Sequence, residues 1–483
     1  MSRKPTSSSQ PLAFPDGLAS LFAEVDARTK GIGSSPLATR CTLAREKVSL
    51  MGLPSLANEE WRYTNIRPLT ALTWTNEVRA AATPKVVGTH PALLQSSGPL
   101  VVFVNGHFDK SRSRLEQLST GLKIEILSNE FSAARTNQAE GNLAARIERL
   151  LAQRQRELSG LPTPVARIGE EADWVATLGT ALLNEGVVIT AKRGATLDQR
   201  INVVHVHTGQ SEKTAKPANV ASAIRIFIVA EESSSLDVVE TWTCDEPNGD
   251  DAARLTLAHT DAFVASNARL RHARLQGEDL ATWHLGTIRA SVARDARLET
   301  FNLATGSRLG RTGMDIMLTG EGAHATVDGL YVPREKQHVD FHTAIDHRSP
   351  HTASSQLYKG ILFDSARAVF NGKIFVRRDA QQTSAFQTNK NLLLGAGAEV
   401  DTKPQLEIDA DDVKCSHGAT VGQLSEQELF YLRSRGIPKA QATTLLCEAF
   451  AADALGQIES VEVREKMGVL LRDTFAAALR STP

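Results

Sequence analysis

Apolar residues follow three different patterns along the chain. Up to about residue 160 they recur at helical spacing in segments 20–31, 39–53 and 141–160, and residues 98–108 read as a buried strand that ends in a turn. The 141–160 segment is strongly charged and amphipathic, which predicts a solvated helix that packs on one face. This first region is therefore predicted to be mixed and mainly helical.

Between about residues 185 and 422, short runs of β-branched residues replace the helical pattern. A small motif recurs among them, in which Gly, Asn, Asp or Ser precedes Ala and an apolar residue follows two positions later. Its copies are GATL (194–197), NARL (267–270), DARL (295–298), GAHA (322–325), SARA (365–368) and GAEV (397–400). Short strands separated by small-residue corners favour a β-solenoid, in which each coil buries its inner face against its neighbours. A β-sandwich is the competing interpretation.

The pattern changes again at Ser425, where SEQE (425–428) is a capping box that predicts the start of a helix. This helix is predicted to stop at Gly436, and two more amphipathic helices complete the chain after Pro438. Helices in this position could cap the open end of the solenoid or present a face to a partner. The pattern alone does not decide between these two roles.

Composition and charge exclude several classes of protein. The 54 Lys and Arg residues balance 55 Asp and Glu residues, which argues against a nucleic-acid partner. No apolar stretch is long enough to span a bilayer, and the N-terminus lacks the apolar core of a secretory signal. The four cysteines form no C-x-x-C motif, so a reducing cytoplasm is the expected location.

Two groups of histidines are candidate metal ligands. One is the series His338, His342, His347 and His351, whose spacing in a β-rich region places the side chains on different faces and coils. The other is the pair His205 and His207, which share a strand face and lack a third ligand nearby in the sequence. Both groups are interpreted as surface histidines or as histidines that form hydrogen bonds between strands.

Cys415 and His417 are the strongest chemical candidates. On a strand, residues two positions apart point to the same face, so the thiol and the imidazole stand side by side. An imidazolium neighbour is expected to lower the pKa of a thiol and to make it a better metal or sulfur acceptor. Iron binds both thiolate and imidazole, but two ligands are too few for a complete site. From these residues alone, a buried cysteine with a hydrogen-bonded histidine and no chemical role is the favoured interpretation.

Known catalytic motifs offer no competing assignment. The chain has no Walker A motif, no G-x-S-x-G elbow and no G-x-G-x-x-G after a strand. A β-helix carbohydrate-active enzyme is one alternative, although aromatic residues make up only 5% of the chain. A purely structural partner protein is another.

The segment 358–437, which includes VKCSHGA (413–419), resembles the SufD branch of the SufB/SufD family of iron–sulfur cluster assembly proteins. GLPSLANEEWRYTNIRPL (52–69), NGHF (105–108) and IFIVAEE (226–232) carry the likeness through most of the chain. The resemblance implies a mainly β fold with a right-handed parallel β-helix core between helical end regions. The sequence patterns divide the chain into a disordered tail (1–15), a mixed helical region (16–160), the β-helix core (161–424) and a C-terminal helical domain (425–483).

The same resemblance implies a non-enzymatic scaffold that pairs with SufB and builds a transient iron–sulfur cluster at their interface. His417 and Cys415 are the implied cluster residues on this chain. Docking of the ATPase SufC is implied for the helix after Ser425, at Leu429, Phe430, Tyr431, Leu432, Arg435 and Gly436. A homodimer could form in the absence of SufB, and a flavin has no support from any motif. The role of the additional length in 130–220 is open.

Overall fold

A computed structural model describes residues 13–29, 36–75, 98–127, 141–158, 173–183, 185–208, 219–245 and 252–481. Most of the proposed tail (1–15) and much of the 130–220 segment lie outside the described residues. The α-helices of the described part are α1 (Asp16–Thr29), α2 (Pro36–Met51), α3 (Gly141–Leu158), α4 (Trp174–Ala181), α5 (Glu426–Ser434), α6 (Lys439–Leu455) and α7 (Val461–Ser481), with 3-10 turns at Glu59–Trp61 and Arg67–Ala71.

The described residues form twenty β-strands, which begin after α2 and end before α5. They are β1 (Trp74–Thr75), β2 (Leu100–Val104), β3 (His107–Phe108), β4 (Leu122–Ile126), β5 (Glu185–Ala191), β6 (Ile201–His207), β7 (Asn219–Ala230), β8 (Ser235–Cys244), β9 (Arg254–Val264), β10 (Arg269–Gly277), β11 (Thr282–Val292), β12 (Arg297–Ala304), β13 (Leu309–Leu318), β14 (His324–Tyr331), β15 (His338–His347), β16 (Ala353–Leu362), β17 (Arg367–Val376), β18 (Thr383–Leu393), β19 (Glu399–Ile408) and β20 (Val413–Gly422).

The strands build a parallel β-solenoid with two sheets. Sheet 1 has the order β19-β17-β15-β13-β11-β9-β7-β5-β4, with β1 beside β7, and sheet 2 has the order β20-β18-β16-β14-β12-β10-β8-β6-β2-β3. From β5 to β20, consecutive strands alternate between the sheets, so each coil contributes one strand to each. Only the β2–β3 and β4–β5 pairs are antiparallel. The solenoid with helices at both ends of the chain confirms the predicted fold class, and the β-sandwich is excluded.

The recurring small-residue motif forms the corners between coils. Its first residue has a positive φ in four of the six copies, at Gly194, Asn267, Asp295 and Gly322. Such a left-handed turn residue is favourable for Gly and tolerated by Asn and Asp. The following alanines are almost fully buried at positions 268, 296 and 323, because a larger side chain would not fit the corner.

Coil length explains why the motif is unevenly spaced. In sheet 2, the aligned positions of successive coils are Arg269, Arg297, His324, Ala353 and Ser384. These positions differ by 27 to 31 residues, so corner loops absorb the variation while the strands stay in register. The apolar inward side chains of both sheets form one long core along the solenoid axis. The interior also encloses buried polar side chains, such as the ion pair of Glu240 and Arg274.

Helices cover the outer faces of both sheets. Helices α1, α2 and α4 pack on sheet 1 through an apolar cluster that includes Leu21, Trp61 and Trp174. Helices α6 and α7 pack along sheet 2 through a second cluster that includes Phe363, Met467 and Phe475. The C-terminal helices therefore lie along the flank of the solenoid, and the described residues place no helix over its final coil, strands β19 and β20.

Polar contacts hold the C-terminal layer in place. The buried Lys359 of β16 donates from Nζ to the Phe450 carbonyl at 2.6 Å and to Asp453 at 2.8 Å. Arg269 and Arg271 both reach Glu459 in the loop between α6 and α7. A buried ammonium needs such partners, because an unpaired charge in the interior is strongly destabilising.

Candidate functional site at the open end of the solenoid

Strand β20 carries Cys415 and His417 on the last coil of sheet 2. Its parallel pairing with β18 aligns Cys415 with Ala385 and His417 with Gln387. Val413 and Cys415 pack against the solenoid core, so the face that they share with His417 is the inward one. Cys415 is half-buried and His417 is exposed, because no further coil covers them. The structure thus brings the two predicted residues onto one face, as the strand periodicity implied.

On the preceding coil, a small side chain lies below the Cys415 thiol and a polar side chain lies below the His417 imidazole. Ala385 is fully buried, and Gln387 is 1% exposed. Gln387 donates from Nε2 to Gln356 Oε1 on the preceding coil at 2.6 Å, whereas its Oε1 is buried and has no hydrogen-bond partner among the described residues. A buried carbonyl oxygen without a donor is uncommon and calls for an explanation.

The electrostatics of Cys415 differ from the expectation drawn from its imidazole neighbour. Burial raises the pKa of the Cys415 thiol, and a hydrogen bond from the backbone of Ala385 offsets this only in part. The expected lowering of the pKa is wrong for the single chain. Cys415 is therefore a neutral thiol near pH 7, and loss of its proton must accompany the arrival of a cation.

The final coil also has two unpaired strand edges. Strands β19 and β20 each end a sheet, so each is paired on one side only. Large apolar side chains are exposed near this end, namely Phe386, Ile408 and Val421. Long edge strands that are neither covered nor paired are templates for β-pairing with another chain.

The helix predicted as a docking element, α5, begins where the capping box placed it. Ser425 Oγ accepts from the Glu428 amide at 3.3 Å, and Gly436 has a φ of +85° just after the helix end. Helix α5 has no buried residue. Phe430 is 73% exposed and Tyr431 is 58% exposed, with Arg435 stacked 5.3 Å from the Tyr431 ring. Leu429 and Leu432 are partly buried on the other side of this helix.

The four histidines on and after β15 lie in different places, as their spacing in the sequence predicted. His338 bonds to Thr64, and His347 bonds to Thr352 and Ser354 within the solenoid. His342 lies between Glu60 and Asp340, and the exposed His351 occupies a left-handed turn. The four residues serve different contacts and do not converge.

The other histidine pair requires a correction. His205 and His207 do have a third potential ligand, because Glu278, some seventy residues later, lies beside them inside the solenoid. Sequence inspection missed Glu278 since it follows β10, two coils away from β6 in sheet 2.

A second polar cluster fastens the N-terminal region to sheet 1. Glu60 contacts His342 Nδ1 at 3.0 Å and Lys373 Nζ at 2.6 Å, and the Arg311 guanidinium stacks 4.1 Å from the Trp61 ring. Burial would raise the pKa of Glu60, but His342 and Lys373 hold it well below the usual range. The cluster borders a cleft of about 670 Å³. Glu60 and Trp61, within the 52–69 stretch quoted from the sequence, therefore act as a structural anchor.

None of the helices in the described ranges is both long and apolar enough to cross a membrane.

Comparisons with known proteins agree on one family. The family model described as "SUF system FeS cluster assembly, SufBD core domain" matches residues 211–450. The iron–sulfur cluster assembly protein SufD of Escherichia coli is 31% identical over 83% of this chain and 84% of its own length. An iron–sulfur cluster assembly SufBD family protein of Synechocystis is 27% identical over 91% of this chain and 92% of its own length.

The Bacillus subtilis iron–sulfur cluster assembly protein SufD is 28% identical over 61% of this chain and 65% of its own length. The matched region 211–450 contains most of the solenoid, both residues of the open end and helix α5. The identity to the Escherichia coli protein extends over most of both chains. The chain belongs to the SufBD family of iron–sulfur cluster assembly proteins.

Proposed function

We propose that this chain is a non-catalytic scaffold subunit that pairs with SufB and docks the ATPase SufC. A nascent, transient iron–sulfur cluster would be built where SufB meets the final coil. One observation carries the proposal: Cys415 and His417 share the inward face of a terminal strand whose outer edge is unpaired. The coarser conclusion, a role in iron–sulfur cluster assembly, follows from the family.

The chemistry of the pair supports a shared site. Iron accepts thiolate and imidazole ligands, and a chain that offers one of each needs further ligands from elsewhere. His417 would act as a ligand or proton acceptor, and Cys415 would assist after losing its proton to the incoming cation. The missing ligands are assigned to SufB because none of the described residues covers this face in the single chain.

The strand edges support the proposed pairing. Strands β19 and β20 present free backbone groups together with exposed Ile408 and Val421. A partner solenoid would satisfy these groups by continuing both sheets and would cover the apolar side chains. In the absence of SufB, a second copy of this chain could occupy the same edges, which accounts for the homodimer proposed for the isolated chain.

The exposed face of α5 supports the proposed SufC site. Phe430 and Tyr431 stand out from a helix with no buried residue, and aromatic side chains dominate the energetics of many interfaces. Helices α6 and α7 instead use their apolar residues to pack on sheet 2. ATP hydrolysis is assigned to SufC, and the complex is proposed to work in the cytoplasm.

Co-purification tests this assignment directly. The full-length chain would be co-expressed with SufB and SufC from the same organism, isolated anaerobically through a tag on this chain, and analysed for iron and sulfide. We expect a stable complex that retains iron and sulfide in excess of the isolated chain. Failure to recover SufB with the tagged chain would contradict the pairing.

A further inference from the structure

Three potential metal ligands meet in the sealed interior of the solenoid. They are His205 and His207 on β6, and Glu278 just after β10. One donor atom from each lies within 4.8 Å of the other two. The three residues are 1%, 1% and 3% exposed, and they form the only such group of three or more among the residues that the structure describes.

A neighbouring threonine fixes which nitrogen of His207 is free. Thr256 Oγ1 donates to Glu278 Oε1 at 2.6 Å, because a carboxylate can only accept. The same hydroxyl oxygen lies 2.8 Å from His207 Nε2 and can only accept there, so Nε2 carries the proton. Nδ1 of His207 keeps its lone pair and has no hydrogen-bond partner among the described residues. This is the tautomer arrangement that second-shell partners impose on metal-binding histidines.

His205 has no polar contact that explains its burial. Both of its ring nitrogens are buried without a hydrogen-bond partner in the described part of the chain. Its ring is packed 4.5 Å from the His207 ring and 5.2 Å from the Trp242 ring. A buried imidazole with two unsatisfied nitrogens is destabilising unless something binds it.

Hydrogen bonds hold Glu278 in place and leave one of its carboxylate oxygens with a lone pair that can bind a metal ion. Its Oε2 accepts from His284 Nδ1 at 2.7 Å and from Gln276 Nε2 at 3.0 Å. Its Oε1 accepts the single hydrogen bond from Thr256, although a carboxylate oxygen can accept two.

We propose that His205, His207 and Glu278 bind one divalent transition-metal ion, Zn²⁺ or Fe²⁺, inside the solenoid. Two imidazoles and one carboxylate form a ligand set that both ions use. Ligands about 2.1 Å from a tetrahedral ion lie roughly 3.4 Å apart, so small side-chain rotations would close the present arrangement. Thr256, Gln276 and His284 are positioning residues that orient the ligands.

This site is separate from the pair at the open end. Its ligands come from β6 and the end of β10, whereas Cys415 and His417 lie on β20, at the opposite end of sheet 2 from β6. Enclosure on all sides fits an ion that enters during folding and stays. Such an ion would link two coils of sheet 2, because β8 separates β6 from β10.

Metal content of the full-length chain tests the proposal. The protein would be expressed in medium supplemented with Zn²⁺ or Fe²⁺, washed with chelator to remove surface ions, and analysed by elemental mass spectrometry. We expect about one equivalent in the wild type and near-background content in the His205→Gln/His207→Gln variant. The bound ion should also raise the melting temperature of the wild type relative to the double variant.

Matched variants make the outcome decisive. His347→Gln removes another buried histidine of the solenoid and should keep the full metal content, as should Cys415→Ser/His417→Ala. If the double variant does not fold, the nearly isosteric Glu278→Gln replaces it and should bring the metal content down to background. Equal metal in the wild type and a folded ligand variant overturns the proposal, as does loss of metal only in Cys415→Ser/His417→Ala.

Discussion

His417 lies in register with Gln387, so the imidazole and the carboxamide occupy the same inward position on the last two coils of sheet 2. Gln387 is anchored on one side by Gln356, and its Oε1 has no donor among the described residues. That oxygen is available to accept from an imidazole N–H of His417. We therefore propose that Gln387 positions the candidate ligand His417.

Replacing Gln387 should impair the site more than the fold. Gln387→Leu keeps most of the volume but removes the acceptor below His417, and we expect a several-fold fall in iron and sulfide recovered with the SufB complex. Thr388→Ala, on the outward face of the same strand, is the control and should leave cluster content unchanged. Equal cluster content in both variants would contradict a role for Gln387 in positioning His417.

Gly372 tests how tightly Gln387 is held. A Cβ at residue 372 would lie 2.2 Å from Gln387 Nε2, so Gly372→Ala must displace that side chain. We expect a loss of about 1–3 kcal/mol in the free energy of unfolding, together with reduced cluster content. At Gly313, on the same sheet, an added Cβ would meet its nearest neighbour at 3.9 Å, so Gly313→Ala should be neutral or slightly stabilising. Chemical denaturation of both variants distinguishes the two cases.

Asp328 should make stability fall as pH rises. It is buried on the face of β14 under the C-terminal helices, and burial raises the pKa of its carboxyl to about 7, against about 3.9 in an unfolded chain. Between these values the folded chain binds more protons than the unfolded chain, so the free energy of unfolding decreases from about pH 4 to pH 7.

Asp328 accepts a hydrogen bond from the Leu357 amide at 2.7 Å. The substitution Asp328→Asn removes the charge and keeps an oxygen that can accept this hydrogen bond. We expect stabilisation of up to about 4 kcal/mol at pH 8 and almost none at pH 4. Thermal melts at the two pH values measure the difference, and the exposed Asp379→Asn serves as control. A gain of the same size at both pH values would contradict a raised pKa.

The proposed SufC surface rests on two aromatic residues. Phe430→Ala/Tyr431→Ala removes most of the exposed apolar area of α5 without disturbing any buried residue. We expect the affinity for SufC to fall at least roughly tenfold while SufB binding is retained. Val461→Ala, at an exposed valine on α7, should bind SufC normally. Unchanged SufC affinity in the double variant would place the docking site elsewhere.

Local signals in the sequence were sufficient for the solenoid and for the Cys415–His417 face. Left-handed turn residues such as Asn267 and Asp295 mark the corners because few residue types tolerate that conformation. The two-residue period of a strand places Cys415 beside His417 whatever the tertiary fold. These features depend on neighbours within a few residues, which is why the sequence reveals them.

Contacts between distant segments were not predictable in the same way. The Glu278 carboxylate reaches His205 only because two coils align, and the packing of α6 and α7 along sheet 2 depends on which faces remain uncovered. The pKa of Cys415 was predicted in the wrong direction because burial against the preceding coil outweighs a favourable neighbour in sequence. Each of these depends on coil-to-coil register, which no local pattern encodes.

Cluster formation in the assembled complex tests the central proposal most directly. His417→Ala would be co-expressed with SufB and SufC beside the wild type and Ser416→Ala, which alters the opposite face of β20. We expect the wild-type, His417→Ala and Ser416→Ala complexes all to assemble, and only the His417→Ala complex to lose iron and sulfide. A fully assembled His417→Ala complex with wild-type iron and sulfide content would contradict the role of the open end of the solenoid.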